Sequence, residues 1–94
     1  MNQITVYPTR PLRNHPYANA TVVETEKGSA LISYRTVVAQ IADNKVFCYG
    51  LYSMTTRHHI SAFAAENGLN YDIFKKVYEG GYEYYDISTD TFVD

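Results

Sequence analysis

The chain has no tryptophan and a single cysteine, Cys48. One thiol cannot form an intrachain disulfide, so no disulfide framework holds this fold. No apolar run reaches the roughly 18 residues of a membrane-spanning helix. The opening "MNQITVYPTR" lacks the basic-then-apolar order of a secretory signal. These absences predict a cytoplasmic protein. A surplus of positive charge is missing as well: eight Lys and Arg stand against ten Asp and Glu, for a net charge of −2. Non-specific nucleic-acid binding draws on excess Lys and Arg, so the balance argues against a generic nucleic-acid binder. Glycines are few and do not form a phosphate-binding loop, since "EKGSAL" and "EGGYEY" both lack its spacing. Repeats and low-complexity segments are absent.

What is present describes a small globular domain. Ninety-four residues make one domain with a limited core, and a homodimer is one way to add buried area. The hydrophobic fraction is 46% and the charged fraction 19%, which excludes a disordered chain. Ten tyrosines stand out, because Tyr buries a ring and keeps a polar tip that suits partner surfaces. Charge is uneven along the chain. The first nineteen residues carry Arg10 and Arg13 and no acid, whereas the last fourteen carry Glu83, Asp86, Asp90 and Asp94 and no base.

Four regions follow one another. Residues 1–19 begin with a β-type run, "QITVY", and continue into an irregular arm with Pro8, Pro11 and Pro16. Residues 20–52 read as a β-meander, with turns at "KGS" and "DNK" between runs rich in Val, Ile, Thr, Tyr and Phe. Cys48 in such a strand is a small buried hydrophobe. Residues 53–80 change to helical period. Thr56, His59, Ile60, Phe63, Ala64 and Asn67 form one stripe, and Gly68 ends it. Asn70 caps a second helix whose apolar face is Tyr71, Phe74, Val77 and Tyr78, with Gly80 and Gly81 as its stop. Residues 81–94, "GYEYYDISTDTFVD", predict an acidic last strand with Tyr82 and Tyr84 on one side. The fold class is α+β: a small antiparallel meander packed on a two-helix hairpin, with a terminal strand.

"YSMTTRHHISAF" concentrates hydroxyls, an Arg and two His in twelve residues. A helix start explains most of it. Ser53 or Thr55 accepts the unpaired amides of the first turn. His59 falls on the apolar stripe, partly buried and held by a hydrogen bond. Adjacent His58 and His59 diverge by about a quarter turn, so they do not share a metal, which needs i, i+4 spacing. His15 sits apart in the arm. Cys48 has no cationic neighbour to activate it as a nucleophile. No catalytic residue, metal or cofactor is therefore assigned, and the structural roles go to Ser53, Thr55, His59 and Gly68.

Two binding constellations remain. "HISAFAAENGLNYDIFKKVYEGG" resembles a helix-turn-helix, with the small Ala64 four residues before Gly68. As a DNA reader it would use Asn70, Tyr71, Lys75 and Lys76, with Asp72 opposing phosphate. The C-terminal Tyr82, Glu83, Tyr84, Tyr85 and Asp86 form an acidic, aromatic candidate surface for a protein partner.

Two segments also resemble a pattern in small proteins of bacteriophages and mobile elements. "SYRTVVA" is followed about a dozen residues later by "YSMTTRHHISAF". The matching positions are Ser33, Tyr34, Thr36, Ala39, Tyr52, Ser53, Thr55, Thr56, His59 and Phe63. His58 replaces the base usual before the second His. The resemblance implies a phage or mobile-element origin and brings no catalytic residues. By analogy it implies an anti-CRISPR-like inhibitor that occludes a host protein or complex in the bacterial cytoplasm. The alternative is a helix-turn-helix-like DNA-binding regulator.

Overall fold

A computed structural model describes residues 7–14 and 16–94. The early run "QITVY", Tyr7 excepted, and His15 lie outside the described residues. Strands β1 (Thr9–Arg10), β2 (Ala20–Thr25), β3 (Gly28–Ser33), β4 (Thr36–Ala42) and β5 (Lys45–Cys48) precede helices α1 (Met54–Glu66) and α2 (Tyr71–Glu79), and β6 (Tyr84–Asp86) and β7 (Thr91–Val93) follow. All seven strands form one sheet in chain order, each antiparallel to its neighbour. The class is α+β, as the residue pattern predicts.

Turn chemistry sets the register. Asp43 and Asn44 both take positive φ, +52° and +62°, between the paired Ala42 and Lys45. That is the two-residue turn whose twist matches an antiparallel pair, and Asp and Asn tolerate it best. Caps bound the helices. The Ser53 hydroxyl accepts the Thr56 amide, and the Asn70 side-chain oxygen accepts the Asp72 amide. Thr55 is exposed and takes no part in the cap, so that role falls to Ser53 alone. Gly68 (φ +70°) and Gly81 (φ +73°) close α1 and α2 in the left-handed conformation. Beyond each, the next amide reaches back into the last turn, Leu69 to Ala64 and Tyr82 to Val77.

The helices cover one face of the sheet. Val22, Leu31, Val38, Ala39 and Val46 meet Ile60, Phe63, Ala64, Phe74 and Val77, all essentially free of solvent. Phe63 and Phe74 pack edge to face across the helix pair, with ring centroids 6.1 Å apart. Each large side chain buried here contributes about 2 kcal/mol against the chain entropy. On the sheet's other face Phe47 stacks on Tyr49 and lies 5.7 Å from Tyr84, all three at least partly solvent-accessible.

One expectation changes. The last segment is a hairpin and not one strand, because the Asp86 carboxylate accepts the Ser88 and Thr89 amides and reverses the chain into β7. The Pro-rich arm is fastened to the body. Leu12 is buried in the core, and Arg10 ties Glu24 of β2 to Glu66 of α1 at 2.5 Å each. The Glu66 side chain is 2% exposed, so the arm's principal charge is neutralised inside the domain and is not free to steer a partner. No helix among the described residues is long and apolar enough to cross a membrane.

Candidate functional site

The two sequence segments set apart above meet at one end of the sheet. Ser33 closes β3, Tyr34 and Arg35 turn the chain, and Thr36 opens β4. Tyr52 and Ser53 lead into α1. These elements enclose a pocket of about 220 Å³ lined by Ser33, Tyr34, Thr36, Tyr52, Ser53 and Thr56. The lining carries six hydroxyl groups and no carboxylate or amine.

Its floor is a buried hydrogen-bond relay. Ser33 Oγ lies 2.8 Å from His59 Nδ1 and 3.1 Å from Thr56 Oγ1, and Ser53 Oγ donates to Thr56 Oγ1 at 3.3 Å. Ser33, Thr56 and His59 are all at most 3% exposed. Burial, aided by the neighbouring His58, holds the His59 imidazole below its ordinary 6.5, so the ring is neutral at physiological pH. Tyr17 meets the same ring edge-on at 4.8 Å.

The rim is aromatic. Tyr34 and Tyr52 are 53% and 67% exposed. Tyr34 (φ +59°) and Tyr52 (φ +31°) both occupy positive φ, a region that costs a bulky residue about 1–3 kcal/mol. Gly50 leaves the space that the Tyr52 ring fills, since a Cβ at that position would lie 2.4 Å from the ring.

Other candidate residues are placed differently. Tyr85 is buried, packs on Phe92 and donates its hydroxyl to Asp90; this hydrogen bond holds its phenol above the ordinary range. Tyr82 packs on Phe92 as well, whereas Tyr84 lies against Phe47. The five residues expected to form a C-terminal partner surface therefore do not share a face: Tyr85 leaves the set, Glu83 is exposed, and Asp86 is half-buried and holds its turn. Hydrogen bonds from Ser88 and Thr89 keep the Asp86 carboxyl below its usual range. Of the DNA-reading set, Asn70 is occupied as a cap, Lys76 is exposed and lies 4.4 Å over the Phe92 ring, Lys75 is exposed, and Tyr71 is half-buried. Burial pushes the Cys48 thiol up to about 11, the opposite of activation. No three His, Cys, Asp or Glu side chains gather as a metal-binding group among the described residues. A larger hollow of about 530 Å³ beside Thr9, Pro16 and Tyr17 is wide open, and Arg10, the one charge lining it, is already paired.

Residue patterns miss the pocket because Ser33 and His59 lie 26 residues apart. The signal available was the pair of hydroxyl-rich segments itself. A model of a family of unknown function, DUF8033, matches residues 4–80, and the chain belongs to that family. The matched span includes every residue of the pocket and stops before the β6–β7 hairpin. Comparison with curated proteins and with solved structures found no match.

Proposed function

We propose that this DUF8033 member is a non-enzymatic binding protein that covers a surface on a larger protein. One observation carries the reading: Tyr34 and Tyr52, which line a pocket of hydroxyl groups, both stand largely exposed at its mouth. Exposed tyrosines at a pocket mouth are the side chains that anchor protein interfaces, with a ring to bury and a hydroxyl to pair. Both sit where a Gly or Asn backbone would be relaxed, so the fold spends stability to present them. The pocket between them accepts a polar side chain from the partner.

Support for a role without catalysis comes from the same groups. Ser33 Oγ is buried and divided between His59 and Thr56. The Cys48 thiol is held protonated. The phage-type setting, and with it an anti-CRISPR-like target in a bacterial cytoplasm, rests on the resemblance of the segments Ser33–Ala39 and Tyr52–Phe63.

The test is a tagged pull-down from bacterial lysate, with and without nuclease, comparing the parent with a Tyr34→Ala/Tyr52→Ala variant. The expected result is a stoichiometric protein that survives nuclease and is lost from the variant. Recovery of nucleic acid alone, or of a protein that both forms retain equally, overturns the reading.

A further inference from the structure

A second concavity lies between the helices and uses different chemistry. It encloses about 280 Å³ between Met54, Arg57, His58 and Ser61 of α1 and Tyr71 and Lys75 of α2. None of the six is acidic, in a chain whose acids outnumber Lys and Arg by ten to eight. Much of the remaining positive charge is already engaged. Arg10 and Arg13 pair with Glu24 and Glu66, and Lys27 pairs with Asp43. Lys45 lies over Tyr84 and Lys76 over Phe92. Arg57 and Lys75 form no ion pair among the described residues.

We propose that this groove binds a phosphate ester. The Arg57 guanidinium presents paired N–H donors that match phosphate oxygens, and Lys75 adds a compact charge. Ser61 and Tyr71 contribute hydroxyl donors. His58 adds a ring N–H donor. The Tyr71 ring and the Met54 thioether offer an apolar wall for the group the phosphate carries. The basic lining does not continue along α2, because Asp72 and Glu79 flank Lys75 and Lys76 on the next surface. A duplex backbone needs an extended basic track, so the bounded groove fits a free nucleoside monophosphate better than DNA. Apart from its place at the start of α1, the groove shares nothing with the tyrosine-rimmed pocket, and either proposal can fail alone.

An amide chemical-shift titration of the full chain tests it, using adenosine 5′-monophosphate, inorganic phosphate and a short DNA duplex at low salt. The nucleotide is expected to move the signals of Arg57, His58, Ser61, Tyr71 and Lys75 and to saturate. Phosphate should move the same signals more weakly. An Arg57→Gln/Lys75→Gln variant, which breaks no ion pair of the described residues, should weaken the nucleotide by about tenfold or more, while Lys27→Gln leaves it unchanged. Tighter duplex binding at the same signals keeps the phosphate chemistry and assigns it to nucleic acid. Shifts that do not saturate, that map elsewhere, or that persist in the well-dispersed spectrum of the double variant overturn the proposal.

Discussion

Ser33 Oγ stands 2.8 Å from His59 Nδ1, and this contact fastens the end of a central strand to the first half of α1. Through Thr56 it reaches Ser53, the residue that begins the helix. One chain of hydroxyls thus caps α1, satisfies a buried imidazole and floors the pocket.

The relay makes stability depend on pH. The folded-state pKa of His59 lies below the ordinary 6.5. As pH falls through that value, the unfolded chain takes up a proton that the folded chain refuses. This contribution is therefore complete above about pH 7.5 and drains away between the unfolded and the folded pKa. Melting temperatures measured from about pH 7.5 down to about pH 5.5 should fall, and His59→Gln should flatten that slope while His58→Gln keeps most of it. An unchanged slope in His59→Gln removes the assignment.

Ser33→Ala strands the His59 nitrogen and thins the bonding of Thr56 in a buried place. The expected cost is about 1–3 kcal/mol in chemical denaturation. Ser53→Ala, which removes the cap, should cost about 1 kcal/mol. If Ser33→Ala is as mild as the exposed Thr55→Ala, the contact adds nothing.

Arg10 holds the buried Glu66 carboxylate. Arg10→Met removes the close partner of that carboxylate and leaves it only the looser contacts of Arg13, and should cost about 1–2 kcal/mol, discounted because Arg10 is itself partly solvated. Adding Glu66→Gln to that variant should restore part of the loss. Equal stabilities of the single and double variants, read from urea midpoints, would count against the pair.

Stability and binding should move in opposite directions at Tyr34. Asn accepts positive φ more readily than Tyr, so Tyr34→Asn should stabilise the fold by up to about 1 kcal/mol. The same change removes an anchor and should abolish partner capture. A variant that is no more stable, or that still captures the partner, speaks against strain maintained for recognition.

Local features were readable from the residues. Ser53, Gly68, Asn70 and Gly81 act within a turn of their own positions, and the helical stripe from Thr56 to Ala64 is buried as its period predicts. The "DNK" turn is equally local. The terminal hairpin was hidden because Asp86 folds the chain through its side chain, a signal that alternation does not register. Left-handed Gly81 then places Tyr82 with Phe92, away from Tyr84, so counting by twos from Tyr82 puts the wrong rings together. The arm's ion pairs could not be read locally, because their acids, Glu24 and Glu66, lie outside the arm. The pocket was least legible, since its halves come from separate elements.

The meander also imposes an order of assembly. From β1 to β5 each strand pairs with the one just made, so loop closure is cheap and this part of the sheet forms early. The β5–β6 seam differs, because both helices must fold before Val46 meets Tyr85. It is held by two register pairs, whereas β2 and β3 share six. The C-terminal hairpin should thus be the last part to close and the first to open. Hydrogen exchange should show the β6 amides losing protection before those of β2 to β4, through an opening that leaves the tyrosine-rimmed end intact.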